Sequence, residues 1–224
     1  QTGYNAISLK IKNNSDNTYI ENANISWNPV MQMETMSHSC PKQNPTKVSG
    51  TNTVYQGFII YQMTNTDGSG WSLTVDYTVN NEPFTVSNTI TVAQSELKNV
   101  SVFKGSDNVR YVVAFIAPSK PIVGINDLNI GVYKMESMMA FPVVENYSLT
   151  LDPRMPDMGN HSSPNNTDLT YHAINQNYTG KLSLTMTGYW SLNLKLLNTD
   201  SDVLYGSDVT DSNAYSNLYL DLEF

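Results

Sequence analysis

The chain has 224 residues, 40% of them hydrophobic and 14% charged, a composition that can bury a core and excludes a disordered chain. Twelve Lys and Arg against twenty Asp and Glu leave a formal net charge of −8, without the clustered cations that phosphate binding needs, so nucleic acid is not an expected partner. The single cysteine, Cys40, excludes an intrachain disulfide, and no run of about 18 apolar residues is present to span a membrane.

The first element is a strand, because Ile7-Ser8-Leu9-Lys10-Ile11 alternates apolar and polar side chains with the period of a half-buried strand. A Pro-flanked loop follows, carrying Met31, Met33, Met36, His38 and Cys40 within ten residues. Tyr55-x-Gly57 then leads into Phe58-Ile59-Ile60-Tyr61 and Met63, and a turn-rich tip over residues 66–69 precedes the alternating Trp71-Ser72-Leu73-Thr74-Val75. Residues 99–103 and 109–115 read as two more strands, and the polar segment 104–108 between them reads as a linker or as a hairpin turn. The expected division is therefore into domains 1–104 and 105–224.

The second half repeats these landmarks in order. Leu128-Asn129-Ile130-Gly131-Val132 repeats the opening strand, and Met135, Met138 and Met139 form a methionine cluster before the second loop. That loop carries Met155, Met158 and His161, with Met155 and Met158 at the spacing of Met33 and Met36. Tyr178-x-Gly180, Met186 and Trp190-Ser191-Leu192 answer Tyr55-x-Gly57, Met63 and Trp71-Ser72-Leu73. Five landmarks in one order indicate a duplication. Short strands, no helical stripe longer than three turns, and frequent Gly, Pro and Asn predict an all-β fold of two antiparallel sandwich domains.

The chemistry-bearing residues are soft donors. Thioether, imidazole and thiolate together select Cu(I) over Ca, Mg or Mn, and thioethers keep this role where thiols are oxidised. The candidate metal ligands are Met155, Met158, His161 and Met186 in the second half, and Met33, Met36, His38 and Cys40 in the first. The competing account of the strand methionines, Met63, Met135 and Met186, is core packing by a flexible side chain. Asp152, Asp157 and Asp168 flank the second loop as turn formers or supporting groups. No Ser-His-Asp arrangement, phosphate-cradling glycine loop or zinc-type Cys/His spacing is present, so catalysis is not expected.

These residues resemble a known family. Arg154-Met155-Pro156-Asp157-Met158-Gly159-Asn160-His161, Tyr178-x-Gly180 and Met186-Thr187-Gly188-Tyr189-Trp190 resemble the YtkA-like domain, whose pattern is Met-Pro-x-Met-Gly-His, Tyr-x-Gly, then Met-x-Gly-x-Trp. Asn160 is inserted before the histidine, and the first half resembles a degraded copy of the tandem form in Bacteroidetes lipoproteins. The resemblance implies immunoglobulin-like sandwiches, export to the periplasm or cell surface with a lipid anchor on a missing N-terminal segment, and handling of copper. It also implies, as partner, a membrane or periplasmic metal-handling protein. Two other readings use the same residues: a structural or interaction protein with Met-rich contact loops and no metal, and a glycan-binding module built on exposed aromatics.

Overall fold

The alternation at Ile7-x-Leu9 is realised as an edge strand whose neighbours in space come from later in the chain. The computed structural model describes residues 1–66 and 68–224; Asp67, in the tip expected over residues 66–69, lies outside the described residues. Strands dominate, and the one helical element among the described residues is a single 3-10 turn. The chain divides into two units. Unit 1 comprises Gln1–Gln94 with Ser137–Phe141, and unit 2 comprises Ser95–Glu136 with Pro142–Phe224.

Unit 1 contains β1 (Gly3–Leu9), β2 (Asn24–Gln32), β3 (Ser37–His38), β4 (Lys42–Lys47), β5 (Tyr55–Tyr61), β6 (Gly70–Val79) and β7 (Glu82–Ile90). They form two antiparallel sheets, one ordered β1-β5-β4 and the other β3-β2-β6-β7. Trp27, Met31, Cys40, Ile59, Tyr61, Trp71 and Val92 make the buried core.

Unit 2 contains β8 (Val100–Lys104), β9 (Arg110–Ala117), β10 (Gly124–Lys134), β11 (Ser148–Met155), β12 (His161–Ser162), β13 (Thr167–His172), β14 (Asn177–Leu184), β15 (Tyr189–Leu197), β16 (Val203–Gly206) and β17 (Leu218–Glu223). Here the strands join one antiparallel sheet, β16-β15-β11-β13-β14-β10-β9-β8, with β12 on β11 and β17 on β15. The sheet curls until β8 meets its far end. Asp221 N donates to Lys98 O at 2.8 Å, and Phe103 stacks on Tyr205 with centroids 4.2 Å apart, so the sheet is nearly closed. The strands of residues 99–103 and 109–115 are therefore a hairpin, Val100 opposite Ala114 and Lys104 opposite Arg110, and residues 104–108 are its turn rather than a linker. The two compact units part ahead of both strands, at Gln94/Ser95.

Within each unit one set of backbone contacts recurs. Ile7 faces Gly57 and Leu9 faces Tyr55; Leu128 faces Gly180 and Ile130 faces Tyr178. Both glycines lie where the neighbouring strand shifts register, at Gln43/Thr46 and at Thr167/Thr170. The Tyr55 hydroxyl donates to Glu21 O (2.6 Å) and accepts from Ala23 N (3.0 Å), while that of Tyr178 donates to Val144 O (2.9 Å) and accepts from Tyr147 N (3.3 Å). Asn5 Nδ2 donates to Gly3 O, as Asn126 Nδ2 does to Gly124 O, and both glycines have positive φ (90° and 125°). These buried amides and hydroxyls satisfy backbone groups where the strands begin and turn.

Candidate metal centre

Each methionine loop is a short β-hairpin. In unit 1, Met31 on β2 stands opposite His38 on β3, and Met33 N donates to Met36 O at 2.9 Å to close the turn. In unit 2, Met155 at the end of β11 stands opposite His161 on β12. The connection is the 3-10 turn Pro156–Met158, entered through Pro156 and left through Gly159 at φ 65°, ψ 33°, the left-handed conformation that suits glycine there. Asn160 follows at φ 59°, so the residue inserted before the histidine takes up a second left-handed position.

The register corrects the expected alignment of the two loops. Pro29 faces Leu73 and Met31 faces Trp71; Pro153 faces Leu192 and Arg154 faces Ser191, which brings Met155 to the level of Trp190. Met31, rather than Met33, is the counterpart of Met155, and Met36 and Met158 fall in connections of different length. Strand pairing fixes this correspondence, whereas the Met-x-x-Met spacing alone does not. The signal for it in the sequence is Pro29-x-Met31 against Pro153-x-Met155.

A third donor lies near each pair. Trp190 Nε1 donates to Met186 O at 3.1 Å and Trp71 Nε1 to Met63 O at 2.9 Å, so each core tryptophan pins the methionine turn preceding its strand. The Met155 methyl carbon reaches within 3.0 Å of where a Cβ on Gly188 would stand, which brings the thioether against the turn that carries Met186. In unit 1 Met33 and Met63 pack against the cluster holding Met31 and Cys40.

The two centres differ in access. Met31 is fully buried and His38 is 9% exposed, its ring edge-on to Trp71 at 5.6 Å. His38 Nδ1 lies 2.7 Å from Ser39 O. A carbonyl only accepts, so Nδ1 is the donor, and the tautomer this selects has its lone pair on Nε2. In unit 2 Met155 is buried, His161 is exposed, and Met186 and Met158 are 36% and 57% exposed. Met36 also points to solvent, at 47%. Register thus sets Met155 opposite His161 and Met31 opposite His38, with the Met186 turn against Met155 and with Met33, Met63 and Cys40 in the cluster of Met31, while Met36 and Met158 lie exposed in the connecting turns. Among the described residues no group of three or more His, Cys, Asp or Glu is placed to hold a metal ion, which leaves the thioether-imidazole sets as the donors to consider.

Two of the neighbouring acids are engaged, and the third, Asp157, is exposed. Asp152 pairs with Arg154 (2.7 Å), and Asp168 Oδ1 accepts from Leu151 N (2.9 Å), as Asn44 Oδ1 does from Trp27 N in unit 1. Burial pushes the Cys40 thiol far above the ordinary range, only partly offset by the Lys42 charge. Cys40 is therefore a neutral thiol in the folded chain. Its modification by a disulfide reagent at pH 8 is expected to be roughly a thousandfold slower than that of the urea-unfolded chain, because reaction waits on opening of the core. Equal rates would place Cys40 at the surface. The raised folded-state value also means that this group's stabilisation is complete below the ordinary thiol range and is lost progressively as pH rises from there toward the raised value.

All three tryptophans, Trp27, Trp71 and Trp190, are buried, whereas Tyr19 and Tyr215 are exposed, so a glycan platform would have to rest on rings such as these. No family model matches the chain, and no curated protein matches it.

Proposed function

We propose that the chain is a non-catalytic, extracytoplasmic protein that binds a soft metal ion, Cu(I), at Met155, His161 and Met186, with Met158 able to close over the ion. Unit 1 carries a second, more enclosed set of His38, Met33 and Cys40, with Met36 at its mouth and Met31 added by the register. The observation that carries this reading is the recurrence of one Met–His cross-strand pair beside a tryptophan-pinned methionine turn. Core packing explains Met31 and Met155 but not the exposed His161, Met158 and Met186. On this reading the two units are copies of one immunoglobulin-like domain of the YtkA-like kind, placed at the periplasmic face or cell surface, and a membrane or periplasmic metal-handling protein delivers or receives the ion.

An anaerobic Cu(I) competition titration tests it, on the wild type and on Met155→Leu/His161→Ala/Met186→Leu. Leucine keeps the volume of methionine, so the fold is retained while the donors are lost. The expected result is binding by the wild type and, at the unit 2 site, an affinity lower by roughly a thousandfold or more in the variant, three donors being lost at about tenfold or more each. Equal affinities at unchanged unfolding midpoint would sink the proposal and favour the alternative, a Met-rich contact surface for a protein partner.

A further inference from the structure

Unit 1 has an open flank where unit 2 is covered, and the covering element is visible in the same chain. Between residues 11–20 and the β6–β7 hairpin of unit 1 lies a cleft of about 440 Å³, with Ile11, Ile20, Tyr77 and Phe84 among its walls. The register identifies the matching places in unit 2. Ile25 faces Tyr77 where Leu149 faces Leu196; Tyr77 faces Phe84 where Leu196 faces Tyr205. Ile20 N donates to Ile11 O where Val144 N donates to Val132 O. In unit 2 this space is filled. Phe103 of β8 lies flat on Tyr205, its plane within 9°, and β9 pairs along the outer edge of β10 from Asn129 to Lys134.

The consequence is read in the burial of equivalent side chains. Leu128, Ile130, Leu192 and Leu194 of unit 2 are inaccessible, whereas Ile7, Leu9, Leu73 and Val75 at the same positions in unit 1 are only partly buried. Phe84, in the place of Tyr205, is 43% exposed, and among the described residues its one ring partner is Tyr77, stacked at 5.2 Å. Two backbone edges are open as well. Among the described residues no strand pairs with β1 except β5 or with β7 except β6, and β7 keeps unbroken register with β6 through Val79↔Glu82 to Trp71↔Ile90. Beyond Glu82 and Pro83 at its start, β7 carries no charge, proline or bulge of the kind that guards a natural edge.

The geometry points to this flank of unit 1 as an acceptor for a β-hairpin of another protein. The donated strand would extend β7 and β1 by main-chain hydrogen bonds and place an aromatic side chain on Phe84, as Phe103 is placed on Tyr205. The chemistry asked of the partner is that of β8 and β9: an extended strand with an inward aromatic, followed by a strand of Val and Tyr. The inference rests on the pairing pattern and is independent of the metal reading.

A synthetic peptide of this chain's residues 98–117, which covers the equivalent flank in unit 2, is the probe. It is added to the intact protein without metal, and hydrogen exchange is followed by mass spectrometry. The expected result is added protection over residues 82–90 and 8–13 that saturates, is absent with a scrambled peptide, and needs roughly tenfold or more peptide in Phe84→Asp, as for loss of an aromatic anchor. Val86→Lys serves as a second variant, and unchanged exchange of β2 and β6 shows that either variant is folded. No protection by the peptide overturns the inference. So does a free protein that is dimeric with residues 82–90 already protected, which would assign the edge to a second copy of the chain.

Discussion

Replacing Trp190 by alanine is expected to destabilise unit 2 by about 3–5 kcal/mol, the range for emptying a buried tryptophan site. The side chain has no solvent exposure and stands in the core with Met155, Leu192 and Leu220. Its ring fills the level at which the Met155–His161 pair meets β15, and its Nε1 hydrogen bond holds the Met186 carbonyl. Truncation therefore removes both the packing beneath the thioether and the tie that fixes the third donor, so weaker metal binding should accompany the lost stability. Urea unfolding followed by circular dichroism gives the first quantity. A loss below about 1.5 kcal/mol would mean that the site collapses around the gap and that Trp190 does not organise the centre.

Adding one methyl group at Gly180 is expected to cost about 1–3 kcal/mol, in the range for overpacking against atoms that cannot move aside. A Cβ there would stand 2.7 Å from Thr167 O and 3.0 Å from Asp168 O, both backbone atoms of the strand that shifts register opposite it. Gly57→Ala should behave alike, because its Cβ would run into the Gln43 carbonyl oxygen and lie 2.8 Å from the Trp27 ring. Gly70→Ala is the control, since its nearest neighbour would be the Asn65 side chain at 3.5 Å, an ordinary contact. Equal midpoints for all three variants would show that β13 and β4 can give way, and that the glycines are not what fixes the bulges.

Strand alternation made the β architecture legible, and the Tyr-x-Gly and Trp landmarks marked contacts that recur in both units, because period-2 burial and an obligatory glycine leave direct marks in sequence; that unit 2 is one nearly closed sheet rather than a sandwich left no such mark. The Gly3-x-Asn5 and Gly124-x-Asn126 pair went unread, although each asparagine caps the same turn of backbone; two polar residues near a strand start resemble any loop. The segment between β8 and β9 reads in sequence as linker or hairpin turn alike, since five polar residues serve either purpose, and only the pairing of the two strands decides for the turn. β7 went unread because its nine residues contact solvent on both faces, so packing leaves no clear alternation. At the candidate centre the donors were legible as residue types. Their grouping was not, because Met33 and Met31 differ chemically in nothing, and only the pairing of β2 with β6 chooses between them.

The two tryptophan–methionine ties give the chain a built-in optical gauge. An indole in a dry core, with its N–H held by a carbonyl, emits at short wavelength, and its intensity follows small displacements of that carbonyl. Trp71 and Trp190 each report on the backbone of one methionine turn, while Trp27, whose Nε1 has no partner among the described residues, adds a signal from the unit 1 core. Phenylalanine at one of the two positions would leave the other as sole reporter, so that occupancy of each unit could be followed separately in unlabelled protein.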